Sequence, residues 1–424
     1  MVDDALKLVS LLIFVACYGL AISRKVKLAY VGLASAFLLL VTLLPTNVLT
    51  PQQALNSVRW NVLGIYWGFM MLSILFSESG VPIHLARHIL HRTRNEGVAL
   101  LALCAITAFL SSFLENVGVV LIMAPIAMEI AKRTKSSTFL YLVSIAISAN
   151  MVTTVTMIAD PPAIILASEA SMSFLDFYWF QGRVGLGVIS IVAAVVGLLT
   201  LYLIHFRKLK KKINIEEEKI ETNYLPTVVF VGGIVALAMN SYIGVGPGII
   251  GLTVGIVSLA LGFRTMSKMV KEFDWNSFFF IIGIFIVIGA IEATGILGDL
   301  AGGIAGLSFN NPIISLAILT WLSVALSSFI DNVPYAVLML PVAKSVAASL
   351  GMGNFAFPLM YGVLIGTGIG GNITPVGATA NVFATGLLEK RGHKVRFKDF
   401  LKISLAPTIM SVLIAHLLLQ LLWM

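Results

Sequence analysis

Two seven-residue stretches carry most of the polar chemistry of an otherwise apolar chain. Ser111-Ser112-Phe113-Leu114-Glu115-Asn116-Val117 and Ser327-Ser328-Phe329-Ile330-Asp331-Asn332-Val333 each set a carboxylate and an amide between aliphatic runs. An ionised carboxylate in such surroundings is costly and has to face a partner or a wet cavity, which makes it functional by default. Glu115 and Asp331 are therefore expected to bind Na+ or protons, with Na+ held at Glu115, Asn116, Asp331 and Asn332. The hydroxyls of Ser111, Ser112, Ser327 and Ser328 are further oxygen ligands beside them.

A second pair of polar stretches interrupts two long apolar runs. Asn150 to Pro162 contains Thr154, Thr156 and Asp160, and Gly366 to Asn381 contains Asn372, Thr374, Thr379 and Asn381. The latter reads Gly366-Thr-Gly-Ile-Gly-Gly-Asn-Ile-Thr-Pro-Val-Gly, too rich in glycine for a plain helix, where each glycine costs about 1 kcal/mol against alanine. Unwinding there exposes carbonyls to cations and turns the positive N-terminal ends of half-helices toward an anion or a dipolar substrate. The alternative is a glycine-rich packing surface between helices.

These sites need a membrane to sit in. The 424 residues are 58% hydrophobic and 11% charged, against roughly 25% charged in soluble domains. Apolar runs at residues 6–22, 28–45, 60–79, 138–167, 183–206, 225–241, 246–262, 275–294, 354–388 and 404–423 predict ten spans. The first lies between an acidic start and Arg24, Lys25 and Lys27, so it reads as a retained span rather than a secretory signal. Two shorter apolar pairs, 97–114 with 117–131 and 311–329 with 333–347, meet at the charged stretches described first. If each pair returns to the side it entered from, 24 of the 28 Lys and Arg fall in loops on one side, leaving only Lys7, Arg59, Arg183 and Lys344 elsewhere. The excess of Lys and Arg in cytoplasmic loops then predicts a multi-pass protein of the cell membrane with both termini outside. The net charge of +8 follows from those loops and calls for no nucleic-acid partner; the partners expected are membrane lipid and a small ion.

The chain repeats itself. Trp60 to Gly80 matches Trp275 to Gly295 at an offset of 215, and the two Ser-Ser-Phe stretches match at 216 with Met123 and Pro125 on Met339 and Pro341. A looser match sets Thr156 to Pro162 on Thr374 to Ala380 at 218. Five spans per half force the second half to insert upside down. The organisation predicted is a first repeat over 1–206, a cytoplasmic linker over 207–223 with Glu216, Glu217 and Glu218 after five basic residues, and a second repeat over 224–424. The fold class is an all-α polytopic membrane protein of two inverted five-span repeats, each with a re-entrant hairpin and a broken helix. Full-length hairpins would leave Glu115 and Asp331 roughly 30 Å apart on opposite surfaces, whereas re-entrant ones bring both tips to the midplane.

Glu115-Asn116-Val117, Asp331-Asn332-Val333-Pro334, Asp160-Pro161-Pro162 and the run Gly371 to Val382 resemble the ArsB/NhaD and citrate-transporter-like permeases of the ion transporter superfamily, over nearly the whole chain. Asp331-Asn332-Val333-Pro334 looks much like NhaD-type and melanosomal P-protein sequences. The resemblance implies secondary transport by alternating access coupled to Na+ or H+, and suggests a homodimer. Na+/H+ exchange is the first specific expectation, because two acidic tips can trade Na+ for protons. An anion carrier for arsenite, silicate or a carboxylate such as citrate is the alternative, and an ion channel is the alternative from another class. An enzyme is not expected, since the membrane-embedded breaks contain no His or Cys. No Gly-x4-Gly-Lys-Ser/Thr loop is present, so a primary pump would need a separate ATPase partner; the chain's own coupling is expected to be ionic, with no cofactor beyond the coupling ion. His84, His88 and His91 share a helical spacing that a metal site could use, but an interfacial helix accounts for them better.

Overall fold

The computed structural model describes residues 4–23, 25–213, 220–352 and 356–424. Arg24, Lys219, Glu216 to Glu218 and the start of the predicted span at 354 lie outside the described residues. Helices Asp4–Ser23, Leu28–Leu43, Trp60–Glu78, Leu186–Ile204, Trp275–Ala293 and Phe397–Trp423 correspond to six of the ten predicted spans, each continuous and apolar enough to cross a membrane. Two more spans are broken as expected, into Thr138–Asn150 with Pro161–Glu169 and Phe357–Gly370 with Thr379–Glu389. The last two, Leu225–Ala238 and Pro247–Leu261, are 14 and 15 residues long, short of the roughly 20 that a perpendicular span needs.

The inverted repeat is visible in matched contacts. Trp60–Glu78 packs along Pro247–Leu261 of the other half, and Trp275–Ala293 packs along Leu28–Leu43. Asn61 accepts a hydrogen bond from the Gly248 amide at 3.2 Å, and its repeat partner Asn276 accepts one from Ala29 at 3.0 Å. Glycines let these backbones touch: a Cβ added at Gly68 would lie 1.7 Å from the Gly251 carbonyl oxygen, and one at Gly283 would lie 2.3 Å from the Gly32 carbonyl carbon. Overpacking of this kind costs about 1–3 kcal/mol, and here the obstacle is backbone that cannot rotate away. Gly68→Val and Gly283→Val are each expected to lower the thermal unfolding midpoint in detergent. Gly302→Ala, on an open helix surface, should leave it unchanged or raise it, by about 0.5–1 kcal/mol.

Gly80 (φ 74°) and Gly295 (φ 80°) turn the chain out of these helices in the left-handed region. Each leads into a shorter helix, Val81–His91 or Ile296–Leu307, and then into a hairpin. Ile296–Leu307 meets the hairpin arm Pro312–Ser327 at 113°. The hairpins are Glu96–Ser111 with Asn116–Arg133 and Pro312–Ser327 with Asn332–Ser349. Their first arms are capped alike: Asn95 accepts from Val98 N at 3.2 Å, and Asn311 from Ile313 N at 2.9 Å. Each first arm packs on the broken helix of its own half, and the second half-helix of each break packs on the hairpin of the other half. The predicted linker is held as well: the amides of Glu96 and Gly97 donate to the carbonyls of Lys211 and Leu209 at 3.0 and 3.2 Å. Glu78, at the end of its helix, pairs with Lys268 at 2.5 Å.

Candidate functional site

Both hairpin tips and both helix breaks line one cavity of about 800 Å³. Full-length hairpins with tips on opposite surfaces are thereby excluded. The repeat accounts for the convergence, since each half supplies one tip and one break related by an axis in the membrane plane.

Each tip is a sharp turn that restarts as a helix, and its carboxylate is the helix cap. Glu115 Oε2 accepts from Gly118 N at 2.8 Å, and Asp331 Oδ1 accepts from Val333 N at 3.2 Å. The first break leaves its helix at Asn150 and resumes at Pro161-Pro162, where proline is tolerated because the first helical amides have no intrahelical partner. Asp160 stands at the N-cap of that half-helix, and its carboxylate is hydrogen-bonded by the Asn332 side chain from the other half. The second break ends at Gly370, makes a 3-10 turn over Gly371–Ile373 and resumes at Thr379 after Ala378. Four helix N-termini therefore face the cavity, three of them led by a carboxylate.

The glycines of the second break serve both purposes the sequence left open. Gly362, Gly366 and Gly370 pack against the hairpin arm Pro312–Ser327, where an added Cβ would come within 2.4, 2.3 and 2.6 Å of its atoms. Gly377 lies in the unwound part, where a Cβ would fall 2.5 Å from the Gly371 carbonyl oxygen and 2.6 Å from that of Ser328 at the hairpin tip.

Among the residues singled out from sequence, Glu115, Asn116, Asn150, Asp160, Asp331, Asn332 and Thr379 line the cavity. The others stand behind them and, Ser111 excepted, use their polar atoms on the protein. Thr156 and Thr374 donate to the carbonyls of Ser112 and Ser328, a repeat-related pair that ties each break to its own tip. Thr154 and Ser190 share a hydrogen bond of 2.6 Å. Asn150 donates to Asn372 Oδ1 at 2.9 Å and Asn381 Oδ1 at 3.1 Å, while Asn381 donates to the carbonyls of Gly371 and Thr374 at 3.0 Å each.

The halves differ at one informative point. Ser327 donates to Asn332 Oδ1 at 2.9 Å and thereby closes that side-chain pair. Its counterparts in the first half, Ser111 Oγ and Asn116 Oδ1, are buried with no hydrogen-bond partner. Two open oxygens beside Glu115 are the ligand type a small hard cation needs. Among the described residues, no group of three His, Cys, Asp or Glu is placed to chelate a metal, and His84 and His88 are stacked with ring centres 6.3 Å apart.

Several cavity residues escaped the sequence reading. Lys25, Lys27 and Asp274 line it from the loops that precede Leu28–Leu43 and Trp275–Ala293, Glu272 lines it from the end of the short helix Met266–Glu272, and Tyr66, Met70, Phe273, Asn276 and Ser277 form a wall. Asn276 carried a signal, since it repeats Asn61 inside the strongest internal match. Tyr66 carried none, because its repeat position is Ile281.

Solved transporters share the fold. The YdaH transporter of Alcanivorax borkumensis superposes with a TM-score of 0.55 at 13% identity, over 86% of this chain and 85% of that one. MtrF of Neisseria gonorrhoeae, described as one of a class of antimetabolite efflux pumps, gives 0.55 at 12% over 90% and 83%. In sequence, an uncharacterized transporter of Mycobacterium tuberculosis is 26% identical over 98% of both chains. The mouse P protein is 23% identical over 85% of this chain and 54% of its own length. Residues 18–366 match the family described as citrate transporter. Apolar helices of membrane-crossing length, a fold shared with transporters and a match over most of the sequence make this chain an integral membrane transporter that belongs to the citrate transporter family.

Proposed function

We propose that the chain exchanges Na+ for protons by alternating access, with Glu115, Asp160 and Asp331 as the titrating groups of one shared cavity. The observation that carries this reading is the charge at the helix N-termini. A carrier that uses half-helix dipoles to hold an anion leaves those ends free. Here three of the four are led by the protein's own carboxylates. With Glu272 and Asp274, five carboxylates face two lysines, a balance that draws cations in. Such a carboxylate holds either Na+ or a proton, and solvation on each side of the membrane decides which. The open oxygens of Ser111 and Asn116 complete the Na+ ligands at the first tip. In this reading the structure is the inward-open state, because the cavity mouth carries Lys25 and Lys27 on the side where Lys and Arg concentrate.

A second reading, a carrier of a carboxylate anion such as citrate, is favoured by the family match and by the fourth N-terminus. Ala378 precedes Thr379 there and supplies no charge. Proteoliposomes separate the two readings. An imposed Na+ gradient should move protons, followed by a pH dye inside. Labelled citrate accumulation without Na+-driven proton movement would overturn the exchanger and establish the anion carrier.

A further inference from the structure

On the face opposite the Lys25 mouth, an ion pair joins a helix that frames the cavity to one that carries a break. Arg59 stands at the N-terminus of Trp60–Glu78 and meets the Glu169 carboxylate at 2.8 Å. Glu169 ends the second half-helix of the first break, so the pair links the helices that frame the cavity to those that carry the tips and breaks. The Glu169 side chain is 9% exposed, against 45% for Arg59, so the carboxylate is largely removed from water and depends on its partner. Lys344, from the second hairpin, donates to the Glu169 carbonyl at 3.2 Å, a cation on a helix C-terminus. All three line a separate cavity of about 470 Å³ that also holds Glu292 and shares no residue with the site cavity.

The inverted repeat shows that this bridge exists at one end only. The positions equivalent to Arg59, Glu169 and Lys344 are Asp274, Leu387 and Met128. Two of the three carry no charge and the third has the opposite sign. Alternating access swaps the environments of equivalent positions, so a contact with no repeat-related counterpart biases the equilibrium toward the state that forms it.

We propose that Arg59, Glu169 and Lys344 form a one-sided ionic lock that holds the far face closed and sets the resting state open toward the Lys25 mouth. The lock rests on the alternating-access reading, but not on the identity of the transported ion. Breaking it should populate the opposite state without touching the site.

The test uses a reporter cysteine at Val382, which lines the site cavity; the two native cysteines are buried. A membrane-impermeant maleimide is applied to vesicles of each orientation, and the ratio of labelling rates from the two sides is measured. In the parent, labelling should come from the Lys25 side. Arg59→Gln and Glu169→Gln should each shift the ratio toward the far side by about five-fold or more, and the double variant by no more than the larger single. The charge exchange Arg59→Glu with Glu169→Arg should restore the parent ratio. Lys344→Met should shift it in the same direction by a smaller factor. Folded variants with an unchanged ratio, or a shift that the charge exchange leaves in place, would overturn the lock. A parent labelled equally from both sides would likewise overturn it, because the two states would then be equally populated; labelling from both sides at the full rate of a permanently open cavity would instead defeat alternating access itself.

Discussion

Asp331→Asn and Glu115→Gln are each expected to reduce Na+-driven proton movement by about 100-fold while leaving the protein folded. Both substitutions keep an oxygen where the carboxylate now accepts a backbone amide, from Val333 and Gly118, so the restart of each hairpin helix retains its cap. What is lost is the charge and the exchangeable proton. A hundredfold fall corresponds to about 2.7 kcal/mol, a modest demand on a group that must be desolvated and neutralised in turn. Flux by pH dye and thermal unfolding in detergent should be read on the same preparations. Normal flux in either variant would remove that carboxylate from the mechanism. Lost flux with lost folding would show that the charge serves the fold rather than the exchange.

The second large effect is expected at Asn150. Its amide nitrogen serves Asn372 and Asn381 at once, and its oxygen faces Asn116 Nδ2 at 3.5 Å. This one side chain joins the first break to the second break and to the first tip. Asn150→Ala leaves two fully buried amide oxygens without a donor, and an unsatisfied buried acceptor costs about 1–3 kcal/mol. A loss of about 2–6 kcal/mol follows if the two add, read as a large drop in unfolding midpoint together with loss of transport. Thr385→Val, which removes a hydroxyl bonded only within its own helix, is the control and should retain both. An Asn150→Ala protein as stable as the parent would mean that the amide cluster contributes nothing to holding the breaks in register.

The sequence determined the architecture because its signals were local or repeated. Apolar runs of membrane length, a charged stretch between each pair of shorter runs, the one-sided distribution of Lys and Arg, and matched offsets of 215 and 216 all follow from what lipid does to charges and backbone. Two closely matched tips of opposite orientation have one economical arrangement, and both do line a single cavity. Pattern did not decide which polar atoms are free. Thr156 and Thr374 look like ligands in sequence, but in the structure they hold each break to its tip. Ser111 and Ser327 occupy the same register, yet only Ser327 is closed against its Asn. Hydrogen-bond satisfaction depends on what arrives from distant segments, and no offset encodes that. The same holds for Tyr66, placed on the cavity wall by a helix packed against the other half, and for Arg59 and Glu169, 110 residues apart and joined only when Trp60–Glu78 meets Pro161–Glu169. Repeat symmetry could be read from the chain itself. The departures from it, which give each face its own chemistry, were decided by packing.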